Sequence, residues 1–245
     1  MAEIYRESSN GLILNMTQIQ GLGLSVNDIG GFFLKEDLEV LLGEPDCVGI
    51  RIYNSGEPVF DMDGFVIGEN PRLVAVAVKS DGFEINFGDV FYVSHNIISG
   101  PPLTTRITPV DHDAARIIVN HDDVTAAQFM SFFSKKDLED DLFNGAPDGI
   151  TFYLASLGVA SPGDFTDHHL TPIKTNSSNF ASHIAFRTNL INGNIPMSPD
   201  ISRNVLSLYP CPGHCVNIND PHNLVNSAGR LEGALPSDPY LFEWQ

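Results

Sequence analysis

The chain has 245 residues, 42% of them apolar and 16 of them phenylalanine, a composition that excludes a disordered polymer and predicts a packed core. Thirteen basic against 31 acidic side chains leave a formal charge of −18, which repels phosphate and anionic lipid over a Debye length of about 8 Å and excludes nucleic acid and membrane surfaces as expected partners. Three cysteines are too few for a disulfide framework, and residues 1–20 lack a basic leader and a secretory apolar run, so the expected compartment is the cytoplasm, with release by a route that reads no signal peptide left open.

In chain order, the first predicted element is a short helix opened by Ser25, which stands three residues before Asp28 in an approximate capping box; Gly30 and Gly31 weaken it. A second helix begins near Lys35 and places Leu38, Leu41 and Leu42 on one apolar face, with Glu36, Asp37 and Glu39 toward water. Pro45 ends it. Apolar or alternating runs at 48–53, 72–78 and 90–94 predict strands. Prolines and polar residues cluster at 99–116 and mark a boundary, and 116–120 reads as a strand crossing over.

The pattern then starts again. Thr125 precedes Gln128 by three residues, Ser134 is the N-cap of a helix that keeps Leu138, Leu142 and Phe143, and strands are expected at 149–155, 170–175 and 182–188. Residues 32–53 and 132–153 align without a gap at an offset of 100, with identities that include Phe32/Phe132, Phe33/Phe133, Asp37/Asp137, Gly49/Gly149, Ile50/Ile150 and Tyr53/Tyr153. The expected fold class is α+β: two tandem pseudo-symmetric units, residues 1–110 and a degenerate copy at 111–205. Each is a helical pair packed on a small antiparallel sheet, and a C-terminal tail follows at 206–245. A fused pair converts a concentration-dependent dimer into an intramolecular one.

Chemistry concentrates in the tail. Cys211, His214, Cys215 and His222 offer two thiolates and two imidazoles, the ligand types of tetrahedral zinc, although the histidines lack the usual paired spacing. An oxidisable Cys211–Cys215 pair and a structural turn with buried thiols are the competing readings. Asp164, Asp167, His168 and His169 form a second mixed set, and His112 and His121 lie among Asp111, Asp113, Asp122 and Asp123; both sets read as solvated loops. Asp61 and Asp63 imitate the opening of a calcium loop, but Arg72 stands where the bidentate glutamate belongs. Cys47 has no histidine beside it and reads as a small core residue. Nucleophile-elbow, phosphate-loop, dinucleotide and zinc-protease motifs are missing from the sequence.

Pro45, Cys47, Gly49, Ile50, Arg51 and Tyr53, followed much later by Cys211, Pro212, Cys215, Asn223 and Leu224, carry a resemblance. The chain resembles a group of small bacterial proteins with a helical start, a Pro-x-Cys-x-Gly-Ile/Val-Arg-x-Tyr strand and a closing Cys-Pro-x-x-Cys. It departs from them in its second copy, which lacks the Cys and Arg, and in residues 225–245. The resemblance implies no activity.

The expected function is a non-catalytic structural or protein-interaction module, a component or cargo of a larger bacterial assembly. Phe242 and Trp244 are the candidate interaction residues, and the expected partner is another protein or a second copy. No cofactor is expected apart from zinc, which the alternative reading places on Cys211, His214, Cys215 and His222. A thiol redox or sensor protein is the third reading.

Overall fold

A computed structural model of the protein describes residues 11–20, 23–60, 66–85, 92–94, 110–112, 115, 119, 130–157, 180–196, 200–207 and 209–210. The elements run α1 (Met16–Gln20), β1 (Gly23–Leu34), α2 (Lys35–Leu42), β2 (Gly49–Phe60), β3 (Val66–Val78), β4 (Tyr92–Val93), β5 (Met130–Ser134), α3 (Asp137–Leu142), β6 (Gly149–Leu157), β7 (Phe180–Thr188), β8 (Asn204–Leu206) and β9 (Tyr209–Pro210). They form an α+β fold of two antiparallel sheets. The first has the strand order β4-β3-β2-β5-β9 and the second β1-β6-β7-β8.

Strand alternation sends successive side chains to opposite faces, and this builds the interior. Ile50, Ile52, Leu73, Ala75, Ala77 and Phe133 from the first sheet share one core with Phe33, Ile150, Phe152, Ala185 and Val205 from the second. The helices join it through Leu38, Leu41 and Leu42 of α2 and Leu138 and Leu142 of α3. Phe152 is the aromatic hub, edge-on to Phe33 at 5.7 Å and to Phe133 at 5.0 Å between ring centroids. The other face of the second sheet presents Phe32, Tyr153, Ile184, Phe186 and Leu206, and Leu14, Ile19 and Ile195 cover them.

The strands before the two helices do not pair with the strands that follow those same helices. β1 pairs with β6, and β5 pairs with β2. The registers correspond at the offset of 100: Phe33 faces Ile150 and Phe133 faces Ile50, while Leu34 faces Gly149 and Ser134 faces Gly49. The hand-over into each helix matches too, since Lys35 N–H donates to the Asp148 carbonyl (3.0 Å) and Lys135 N–H to the Val48 carbonyl (2.9 Å). Asp46 and Ala146, again 100 apart, both take positive φ in the turns after α2 and α3, at 63° and 50°.

The sequence places a helix at Ser25–Asp28, and there the structure differs. Residues 23–34 are a strand, so the helix before α2 is α1 at Met16–Gln20 and not one opened by Ser25. The register of this strand with β6 shifts between Ser25 and Gly30, so the hydroxyl-to-acid spacing that imitates a helix cap coincides with a strand irregularity. Two glycines and the pairing with β6 outweigh a one-turn capping signal. The equivalent Thr125–Gln128 helix and the strand at 170–175 lie outside the described residues. Val119 is helical where the sequence predicts a crossing strand, and the rest of that stretch, 116–118 and 120, lies outside the described residues.

Ser134 does cap: its hydroxyl accepts the Asp137 N–H at 3.1 Å. Asp37, expected toward water, is 3% exposed, as is Asp137. The Asp137 carboxylate accepts the Gly11 N–H at 3.2 and 3.3 Å, tying the segment before α1 to the start of α3.

Candidate functional site

Two buried polar clusters stand out among the described residues. The first grows from β2, whose Ile50 and Ile52 enter the inter-sheet core while Arg51 and Tyr53 occupy the opposite face. A charge there requires a partner, because an isolated buried ion is strongly penalised. The turn after β3 supplies one. Asp81 accepts the Phe83 N–H (3.0 Å), Lys79 and Phe83 close the turn backbone to backbone (2.8 Å), and Gly82 takes a φ of 82°. Glu84 then bridges to Val78 at the end of β3.

Arg51 Nη1 donates to Glu84 Oε1 at 3.0 Å and to the Tyr53 hydroxyl at 3.3 Å, and Nη2 donates to the Gly82 carbonyl at 2.9 Å. The Tyr53 hydroxyl donates to the same Glu84 oxygen. Burial holds the Tyr53 phenol well above its usual range, with the Arg51 charge opposing and Glu84 reinforcing. Guanidinium and carboxylate offset each other's charge inside the protein, with Arg51 and Glu84 side chains 1% and 0% exposed, and the protonated phenol adds a hydrogen bond. The arrangement clamps a turn onto a sheet and presents no group to solvent for proton transfer.

The second cluster joins the two sheets. Ser131 of β5 lies opposite Ile52 and so shares its core-facing side. Its hydroxyl accepts the His183 backbone N–H at 3.0 Å and lies 2.9 Å from His183 Nδ1. Ser207, just past β8, donates its N–H to the His183 carbonyl (3.0 Å) and its hydroxyl to the Phe132 carbonyl (2.7 Å). His183 is fully buried, and burial lowers its pKa to about 3. The imidazole is therefore neutral throughout the physiological range. A serine–histidine contact in this setting lacks the solvent or substrate access that nucleophilic catalysis needs.

Cys47 is buried and donates its thiol to the Gly49 carbonyl at 3.2 Å. Burial pushes its pKa up to about 11, which keeps it a thiol and agrees with a small core residue. Cys211, His214, Cys215 and His222, together with Phe242 and Trp244, lie outside the described residues, as do His121, His168 and His169. Among the described residues no group of three or more His, Cys, Asp or Glu side chains is placed to hold a metal ion. No described helix is long and apolar enough to cross a membrane.

Sequence reasoning singled out Arg51 and Tyr53 but missed their partner Glu84, and it missed Ser131 and His183 altogether. The available signal was a charge at an alternating position inside "GIRIY" and an imidazole inside "SHIAFRT". Each such residue in a buried strand implies a partner, but not which one. Comparison with protein families, curated proteins and solved structures gives no match to this chain.

Proposed function

We propose that the chain is a non-catalytic structural or protein-interaction module made of two equivalent units, residues 1–110 and 111–205, and that it serves as a component of a larger bacterial assembly. One observation carries this reading: β1 pairs with β6 and β5 with β2, in registers that correspond at the offset of 100. An exchange of equivalent elements is what fusion of a strand-swapped dimer would leave behind. The conspicuous buried polar groups fit the same reading, since Arg51, Glu84, Ser131 and His183 hold turns and strands in place. The strongly acidic chain favours a protein partner or a second copy over nucleic acid. The tail at 206–245 supplies the anchor, through Phe242 and Trp244.

The test is photocrosslinking of the full chain in its native cells, compared with Phe242→Ala/Trp244→Ala, alongside elemental analysis of purified untagged protein. The module reading expects a defined protein adduct that the double substitution abolishes, and folded protein free of stoichiometric metal. Zinc at one ion per chain, lost on Cys211→Ser with Cys215→Ser, would replace it with the zinc-binding reading. An adduct unchanged by the double substitution would remove the tail as anchor.

A further inference from the structure

Contacts that run from the first half of the chain to the second repeat at the offset of 100. Phe33 pairs with Ile150 and Phe133 with Ile50, and a Cβ on Gly149 would meet the Phe32 ring just as one on Gly49 would meet the Phe132 ring. Lys35 and Lys135, which lead into the two helices, each reach the end of the other helix: Lys135 Nζ donates to the Leu42 carbonyl at 3.0 Å, and Lys35 Nζ lies over the Phe143 ring, 5.5 Å from its centroid. None of these contacts tells one half from the other. An interface of this kind is self-complementary, and by itself it would join two first halves, or two second halves, as readily as a first to a second.

At the centre of the core one position does distinguish the halves. Residue 52 is isoleucine and residue 152 is phenylalanine; Ile52 lies opposite Ser131, and Phe152 lies opposite Gly31. Both side chains are fully buried in the shared core, and the Phe152 ring stands edge-on to Phe33 at 5.7 Å and to Phe133 at 5.0 Å. Gly31 also has the Ser94 hydroxyl of its own half against it, so its size is fixed there, and the choice of size lies at 52 and 152. With the two units taken as equivalent, Phe33 and Phe133 are related by a pseudo-twofold axis; Phe152, touching both, sits close to that axis, and Ile52 holds the matching place on the first sheet. Two first halves would bring two Ile52 side chains to the axis, each opposite a glycine, and leave a void. Two second halves would bring two Phe152 rings there, each opposite a serine, and overfill it.

We propose that Ile52 and Phe152 form a size key, and that the partner this interface accepts from another molecule is the unlike half of a second copy of this chain. The inference rests on the reading of the chain as two equivalent units and names the second copy as the partner. In the resulting reciprocal dimer the first half of each copy packs on the second half of the other, and the half-to-half contacts of the closed chain are all kept. The balance between the two forms is then set by the connection between the halves, which holds them at an effective concentration on the order of 1 mM. The chain is therefore expected to be closed at micromolar concentration and to exchange halves with a second copy when it folds at millimolar concentration.

The test mixes carbon-13-labelled and unlabelled full chains in denaturant under reducing conditions and refolds them together at about 10 µM and at about 1 mM, two orders of magnitude apart and reaching the effective concentration of the tethered halves. Light scattering gives the size, and isotope-filtered NOEs select contacts between copies. The expected result is monomer at the lower concentration and dimer at the higher, with contacts between copies from Phe33 to Ile150 and from Phe133 to Ile50, and none from Phe33 to Ile50. Phe152→Ile, which puts isoleucine at both places, is expected to add the Phe33-to-Ile50 contact between copies, and folded variant without it would overturn the key. So would that contact in the unsubstituted chain, whose result stands whatever the folding of the variant. Monomer alone at both concentrations, with Phe33 touching Ile150 inside one chain, would overturn the proposal and leave the two-unit reading in place. A monomer lacking the Phe33-to-Ile150 and Phe133-to-Ile50 contacts would overturn both.

Discussion

Gly49 and Gly149 show how tightly single positions are constrained. A Cβ on Gly49 would strike the Phe133 carbonyl and the Phe132 ring, and a Cβ on Gly149 would strike the Phe33 carbonyl and the Phe32 ring. Backbone cannot yield as a side chain tip can, so Gly49→Ala and Gly149→Ala are each expected to cost at least about 2 kcal/mol in chemical denaturation. Ala146 is the opposite case: it is exposed and held at a φ of 50°, so Ala146→Gly is expected to stabilise by about 0.5–1 kcal/mol. In the Arg51–Glu84 pair, removing one charge strands the other. Arg51→Met should cost about 3–5 kcal/mol, and Arg51→Met with Glu84→Leu should recover part of that loss. A double-mutant cycle with urea midpoints measures it, and a loss in the double variant equal to the sum of the two single losses would show the ion pair to be uncoupled.

At the scale of elements, α2 and the cores of β2, β3, β6 and β7 were legible because period and length agree: Leu38, Leu41 and Leu42 recur at helical spacing, and the strand runs are rich in Val, Ile and Phe. Ser134 was legible as a cap because its hydroxyl acts on the adjacent turn. Ser134→Ala is expected to lower stability by about 1 kcal/mol and to loosen α3 by circular dichroism. The strand β1 was not legible. Its Ser25–Asp28 spacing satisfies a local rule, whereas the partner that makes it a strand, β6, lies more than 100 residues away. Asp37 was placed toward water by its charge for the same reason, since local pattern does not reveal which face a neighbouring element covers.

At the scale of the whole molecule, the echo at an offset of 100 was plain in the sequence, because Phe33/Phe133 and Gly49/Gly149 recur without a gap. The pairing of β1 with β6 and of β5 with β2 was hidden, because pairing β1 with β2 or with β6 would bury the same side chains and leave the same alternation. Glu84 and His183 were hidden likewise, since their partners come from other elements. The proposed function rests on that pairing. Its most direct test is a set of side-chain NOEs in the uniformly labelled full chain. Contacts from Phe33 to Ile150 and from Phe133 to Ile50, the cross-strand pairs of β1 with β6 and of β5 with β2, are expected. Main-chain NOEs pairing residues 30–34 with 49–53, and 130–134 with 149–153, would contradict it.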